Sequence, residues 1–139
     1  MNREAIYSAL FALVSTAPGL VTTSRKLLHW NDVQSSARPA LFQAQKGETA
    51  IQSTGLPTKW MLGVDIYVYV STKGTDHPGA VLNPILDAIA AKLDMPFPGQ
   101  PQTLGGLVQY ARIDGRIETD EGTLGDDAVA IIPVSILTV

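Results

Sequence analysis

Apolar residues recur along this chain with two different periods, and the places where one gives way to the other mark its elements. From Asn2, a residue suited to capping a helix N-terminus, Ile6, Leu10, Leu13 and Val14 fall on one helical face, and Pro18 with Gly19 ends the run. Leu20 to Pro39 scatters Ser, Asn, Gln and Arg around Leu27, Leu28 and Trp30, which predicts a loop holding one short strand. Past Arg38 and Pro39 the period drops to two. Leu41, Gln43 and Gln45 oppose Phe42, Ala44 and Lys46, the pattern of a strand with one wet face. The clearest signal follows: Trp60, Leu62, Val64, Ile66, Val68 and Val70 on one side of a long strand, Met61, Gly63, Asp65, Tyr67 and Tyr69 on the other. The first side belongs against a core, and the second is wet or meets another chain.

The turn at His77, Pro78 and Gly79 opens a second predicted helix, striped by Leu82, Ile85, Leu86, Ile89 and Leu93, with Pro84 expected in its first turn. Prolines from Pro96 to Pro101 then interrupt regular structure. A strand follows from Leu107, then an acidic connection to Asp127, then a final run, Ala128 to Val139, apolar on both alternating faces and so expected to be covered on both. Pro133 cannot donate to a ladder and predicts an edge position or a bulge. The order is helix, strand, strand, helix, strand, strand. That is an α+β two-layer sandwich, with two helices on one face of an antiparallel or mixed sheet of about four to five strands. A doubly wound parallel sheet would need strict alternation.

Composition narrows the picture. With 139 residues, 45% hydrophobic and 17% charged, residues 1–139 read as a single folded domain with its own core. The absence of cysteine excludes disulfides, thiolate nucleophiles and cysteine-bound zinc. No apolar run reaches the ~18 to 20 residues that span a bilayer, and the amphipathic spacing of the opening segment favours a helix over a signal peptide. A net charge of -3 gives no ground for general nucleic-acid binding. Its distribution says more. Residues 1–75 hold seven Lys or Arg against four acids, and residues 76–139 hold three against nine. Such a division suits a head-to-tail contact between copies.

Little in the sequence points to chemistry. His29 has Asp32 nearby and His77 follows Asp76, but no Gly-x-Ser-x-Gly elbow accompanies either pair. Gly105 and Gly106 lack the lysine of a phosphate loop, and the 122–127 segment lacks the alternating oxygens of a calcium loop. Asp114, Glu118, Asp120, Glu121, Asp126 and Asp127 offer carboxylate pairs, but among Gly115, Gly122 and Gly125 they read as a solvated hairpin. No catalytic residue, cofactor or metal is expected.

Three stretches resemble the tail terminator family of long-tailed bacteriophages, also called minor tail protein U or tail completion proteins. They are the opening amphipathic helix, the turn and helix from His77 to Asp94, and the run from Ile113 to Val139, where a Gly- and Asp-rich hairpin precedes an apolar strand with an internal proline. The resemblance implies a non-enzymatic virion protein, assembled in the host cytoplasm. It would form a hexameric ring on the last ring of the tail tube, end polymerisation there, and offer its other face for head-tail joining. The implied partners are further copies of the chain, the major tail tube protein, and a connector or head completion protein. No membrane and no specific nucleic acid enters, although DNA would pass through the ring. Trp30, Arg38, Phe42, Tyr67 and Tyr69 are interface candidates by residue type, with core packing the alternative for Trp30 and Phe42. The six acids from Asp114 to Asp127 are candidates for the channel wall or a contact between subunits. Another neck or head completion protein is the nearest alternative. A small ligand-binding or hydrolytic domain using Asp76 and His77 is the alternative from a different class.

Overall fold

The computed structural model describes residues 1–123 and 125–139. Helix α1 spans Arg3–Val14, and Asn2 caps it as expected, its Oδ1 accepting from the amide of Ala5 at 3.0 Å. Ile6, Leu10 and Val14 are buried on the predicted face, joined by Tyr7. Helix α2 spans Pro78–Leu93 and buries Leu82, Ile85, Ile89 and Leu93. It begins earlier than the apolar stripe suggests. Pro78 takes the first-turn position, so Pro84 lies inside the helix, where it removes one main-chain hydrogen bond.

The strands are β1 (Thr22–Ser24), β2 (Ala40–Ile51), β3 (Lys59–Ser71), β4 (Val108–Ile113), β5 (Glu118–Asp120) and β6 (Asp127–Thr138). They form one mixed sheet of six, ordered β1-β2-β3-β6-β4, with β5 beside β4 on the same flank of β6. β1 pairs with β2 in parallel, and every other pairing is antiparallel. The sheet has one strand more than the four to five expected; β1 is the short strand anticipated between Leu20 and Pro39, and β5 is the addition. At three residues β5 is too short for a period-two pattern to register.

Both helices pack on one face of the sheet. Leu62, Val64, Ile66, Val68 and Val70 of β3 and Ala128, Ala130, Ile132, Val134 and Ile136 of β6 form the floor of that core. The alternate residues of β6 are half-buried, so its second side is covered in part.

Pro133 stands in a central strand, not at an edge or in a bulge. In an antiparallel ladder the N–H and C=O of one residue point to the same neighbour. The Pro133 carbonyl accepts from Asp114 N at 3.0 Å, so its missing N–H faces the gap where the chain leaves β4 and turns toward β5. Gly115, at φ 115°, makes that turn, and a Cβ there would sit 3.5 Å from Cγ of Pro133. The proline thus occupies the one stretch of β6 where the neighbouring strand is interrupted.

Ile132 is fully buried at the centre of the sheet. Its replacement by Ala should destabilise the fold by about 2–5 kcal/mol, read as a lower urea midpoint with an unchanged slope.

Candidate functional site

The helix-free face of the sheet carries the structure's distinctive surface. The segment between β1 and β2 crosses it as a strap, with short 3₁₀ turns at Trp30–Asp32 and Ser35–Ala37. His29 caps the first turn, its Nδ1 accepting from Asn31 N at 3.1 Å. Beneath the strap, Val33, Ala40, Phe42 and Tyr69 make a second small core, with the Phe42 and Tyr69 rings 5.4 Å apart.

Arg38 fastens the strap. Its Nε and Nη2 donate to the Val33 carbonyl at 3.1 and 2.9 Å, and Nη1 donates to the Val70 carbonyl at 3.3 Å. The same guanidinium donates to the Trp30 carbonyl and to Oδ1 of Asp127. The Arg38 side chain is 3% exposed and that of Asp127 23%, so the ion pair lies largely out of water. Tyr69 adds a second fastening by donating its hydroxyl to the Leu28 carbonyl at 2.7 Å.

The five aromatic and arginine interface candidates therefore gather in one place, but with unequal access. Arg38, Phe42 and Tyr69 are buried within the chain itself, whereas Trp30 and Tyr67 stay half-buried at the strap's border. Beside them a groove of about 380 Å³ runs between Leu27, Leu28 and Trp30 of the strap and Tyr67, Val129 and Ile131 of the sheet.

The six acids disperse. Asp127 pairs with Arg38 within the chain and is half-buried. Asp120 closes the turn after β5: the bond from the Thr123 hydroxyl, and then those that Oδ1 accepts from Thr123 N at 3.1 Å and Gly122 N at 3.3 Å, hold its carboxyl below the usual range. Asp114 and Glu118 are exposed and only loosely paired, with Arg112 at 3.9 Å and Arg116 at 3.7 Å. Glu121 and Asp126 are exposed, and a Cβ built on Gly79 at the start of α2 would lie 3.1 Å from Oε2 of Glu121.

Sequence reasoning missed Asp65. It is half-buried on β3 opposite Pro133, and its Oδ1 is buried without a hydrogen-bond partner. Lys46 Nζ stands 3.6 Å from that oxygen, an ionic contact rather than a hydrogen bond. The alternation that placed Asp65 on the non-core side carried no sign of its burial.

His29 and His77 are both exposed, one on the strap and the other at the start of α2. Among the described residues no group of three His, Asp or Glu side chains is placed to hold a metal. No helix there is long and apolar enough to cross a membrane.

What defines the class is the fold: a mixed six-stranded sheet with two helices on one face and a strapped, partly apolar surface on the other. No family model and no curated protein matches the chain. Among solved structures it is similar to a chain from the virion of a native gene transfer agent particle, 13% identical over 97% of this chain and 92% of that one, with a TM-score of 0.53. A second solved chain, whose name states no role, is 18% identical over 100% of this chain and 97% of its own length, with a TM-score of 0.52. At these identities the likeness shows a shared fold.

Two predictions follow from the strap. Replacing Arg38 by Ala leaves Asp127 and the Val33 carbonyl without their partner and should cost about 3–5 kcal/mol in chemical denaturation; Lys, which lacks the planar fork, should restore only part of it. Tyr69 is pushed up to about 12, chiefly by burial and next by the neighbouring Tyr67, from an ordinary 10.0. Because the folded state holds this proton more tightly, its contribution is complete below pH 10 and is lost as pH rises from 10 through 12. Tyr69→Phe should cost about 1 kcal/mol at neutral pH and flatten the loss of stability between pH 10 and 12, both measured by urea unfolding.

Proposed function

We propose that this chain is a structural virion protein of a phage or phage-like particle and, within that class, the terminator that caps the tail tube. The observation that carries the reading is the shared fold with a gene transfer agent virion chain over nearly the whole length of both. The likeness of three stretches to tail terminators supports the finer assignment.

Capping follows from elementary assembly logic. A tube grows because each ring presents a complementary surface to the next, so stopping it needs a subunit that fits the tube on one side and not on the other. In this reading the chain forms a hexameric ring on the last tube ring, at the neck-proximal end of the tail. Its opposite face receives the connector or head completion protein. Ring formation needs no cofactor and no catalytic residue, and His77 has no part in it.

Deleting the gene should give tails that overrun their normal length and fail to join heads, as seen by electron microscopy of lysates. Tails of normal length without heads would favour another neck or head completion role, and normal, head-attached tails would sink both. His77→Ala, at an exposed position, should change stability by less than ~0.5 kcal/mol and leave particle titre unaltered; a folded variant that lost function would revive the hydrolytic alternative.

A further inference from the structure

The two sides of the sheet end in open and chemically different edges. On one side β2 runs twelve residues from Ala40, but β1 pairs only with Ala40, Leu41 and Phe42. Among the described residues no strand covers the outer edge of Gln43–Ile51, roughly 30 Å of backbone at ~3.3 Å per residue. A native protein rarely leaves so long an edge open to any strand that arrives. This one is guarded at its middle by the irregularity between Gln45 and Gly47 and by Lys46, whose side chain is 64% exposed. A charge of that sign repels a basic strand and admits an acidic one. Lys26, directly after β1, is exposed on the same side, where Arg25 is paired with Glu4 and Glu48 of β2 with Arg3.

On the opposite side of the sheet lies β5, with the sequence Glu118, Thr119, Asp120. It pairs with β6 along one edge, and no strand among the described residues covers the other. Glu118 and Thr119 are exposed. The chain thus carries a guarded edge with exposed Lys46 at its middle and, at the far side of the same sheet, a short acidic strand with a free edge.

We infer that β5 of one copy of this chain adds to the β2 edge of the next, continuing the sheet from subunit to subunit. Each copy gives one edge and receives at the other, so the contact is heterologous and propagates until rotation closes it into a ring. The inference rests on the ring reading for closure, but not for the contact itself. It also accounts for the charge division between the two parts of the sequence. The strand order carries the N-terminal strands to one side of the sheet and β4 and β5 to the other, turning a division along the chain into a polarity across the subunit.

The absence of cysteine permits a direct test on the purified full-length chain. Gln45→Cys and Thr119→Cys, both at exposed positions, are combined in one chain and oxidised at millimolar concentration. The expected result is a disulfide-linked ladder of multimers, with each single variant remaining monomeric. Dimers from Gln45→Cys alone would indicate β2 meeting β2 and overturn the inference, and so would the absence of a ladder in the double variant. A second measurement guards against a misfolded variant. Lys46→Glu and Glu118→Lys should each weaken self-association at least tenfold in sedimentation, and an equimolar mixture should regain it, because each variant supplies the edge that the other needs. No recovery on mixing, with both variants folded by circular dichroism, overturns the inference. The tail-length phenotype of the deletion is independent of all these outcomes, so the edge contact and the capping role can fail separately.

Discussion

β3 and β6 lie side by side over eleven paired residues, from Met61 opposite Leu137 to Ser71 opposite Asp127, and the other elements take their positions from that ladder. Because side chains alternate, one register decides which residues of both strands meet the helices and which meet the strap. A slip of β3 by one residue against β6 would send Ile66 and Val68 to the half-covered face and bring Asp65 and Tyr67 into the core. The closely fitted apolar floor beneath α1 and α2 stabilises this register against that slip. The strap then reads the same register from the other side, since Arg38 reaches the Val70 carbonyl at the end of β3 and Asp127 at the start of β6.

Two cores of unequal size result. The larger one, under the helices, is apolar and supplies most of the burial. The smaller one, around Val33, Phe42 and Tyr69, is held as much by directed polar bonds as by area. A guanidinium bound to three carbonyls and a carboxylate fixes position closely, and it shapes the surface beside it.

Much of the larger core was legible in the sequence. The period-two run from Trp60 to Val70 and the stripe from Leu82 to Leu93 each predict a buried face that the structure contains, and Asn2 caps its helix as its type suggests. The smaller core was not legible, because its parts come from Trp30, Arg38, Phe42 and Tyr69, separated in sequence and brought together by pairings that no local period records. Aromatic and arginine side chains in a loop and on a mixed strand face look alike whether they await a partner chain or fold onto their own. Pro133 misled for a related reason. The rule against proline concerns an unmet hydrogen bond, and the gap between β4 and β5 that relieves it exists only in three dimensions. Asp127 was grouped with its acidic neighbours by sequence, while its true partner stands 89 positions away.

The central place of β6 has a bearing on how the chain can be made. β3, β4 and β5 all precede it along the polypeptide, and all three need it as a neighbour. While the chain is being synthesised, β3 can pair with β2 in a hairpin, but the apolar face of β3 waits for its second flank. The strap lacks the ion pair of Arg38 until Asp127 has emerged. Topologies dominated by such distant pairings fold slowly and cooperatively, so the sheet and the strap become available to other subunits nearly together, after each copy is complete. Assembly between half-made chains is thereby discouraged by the order in which the strands are translated.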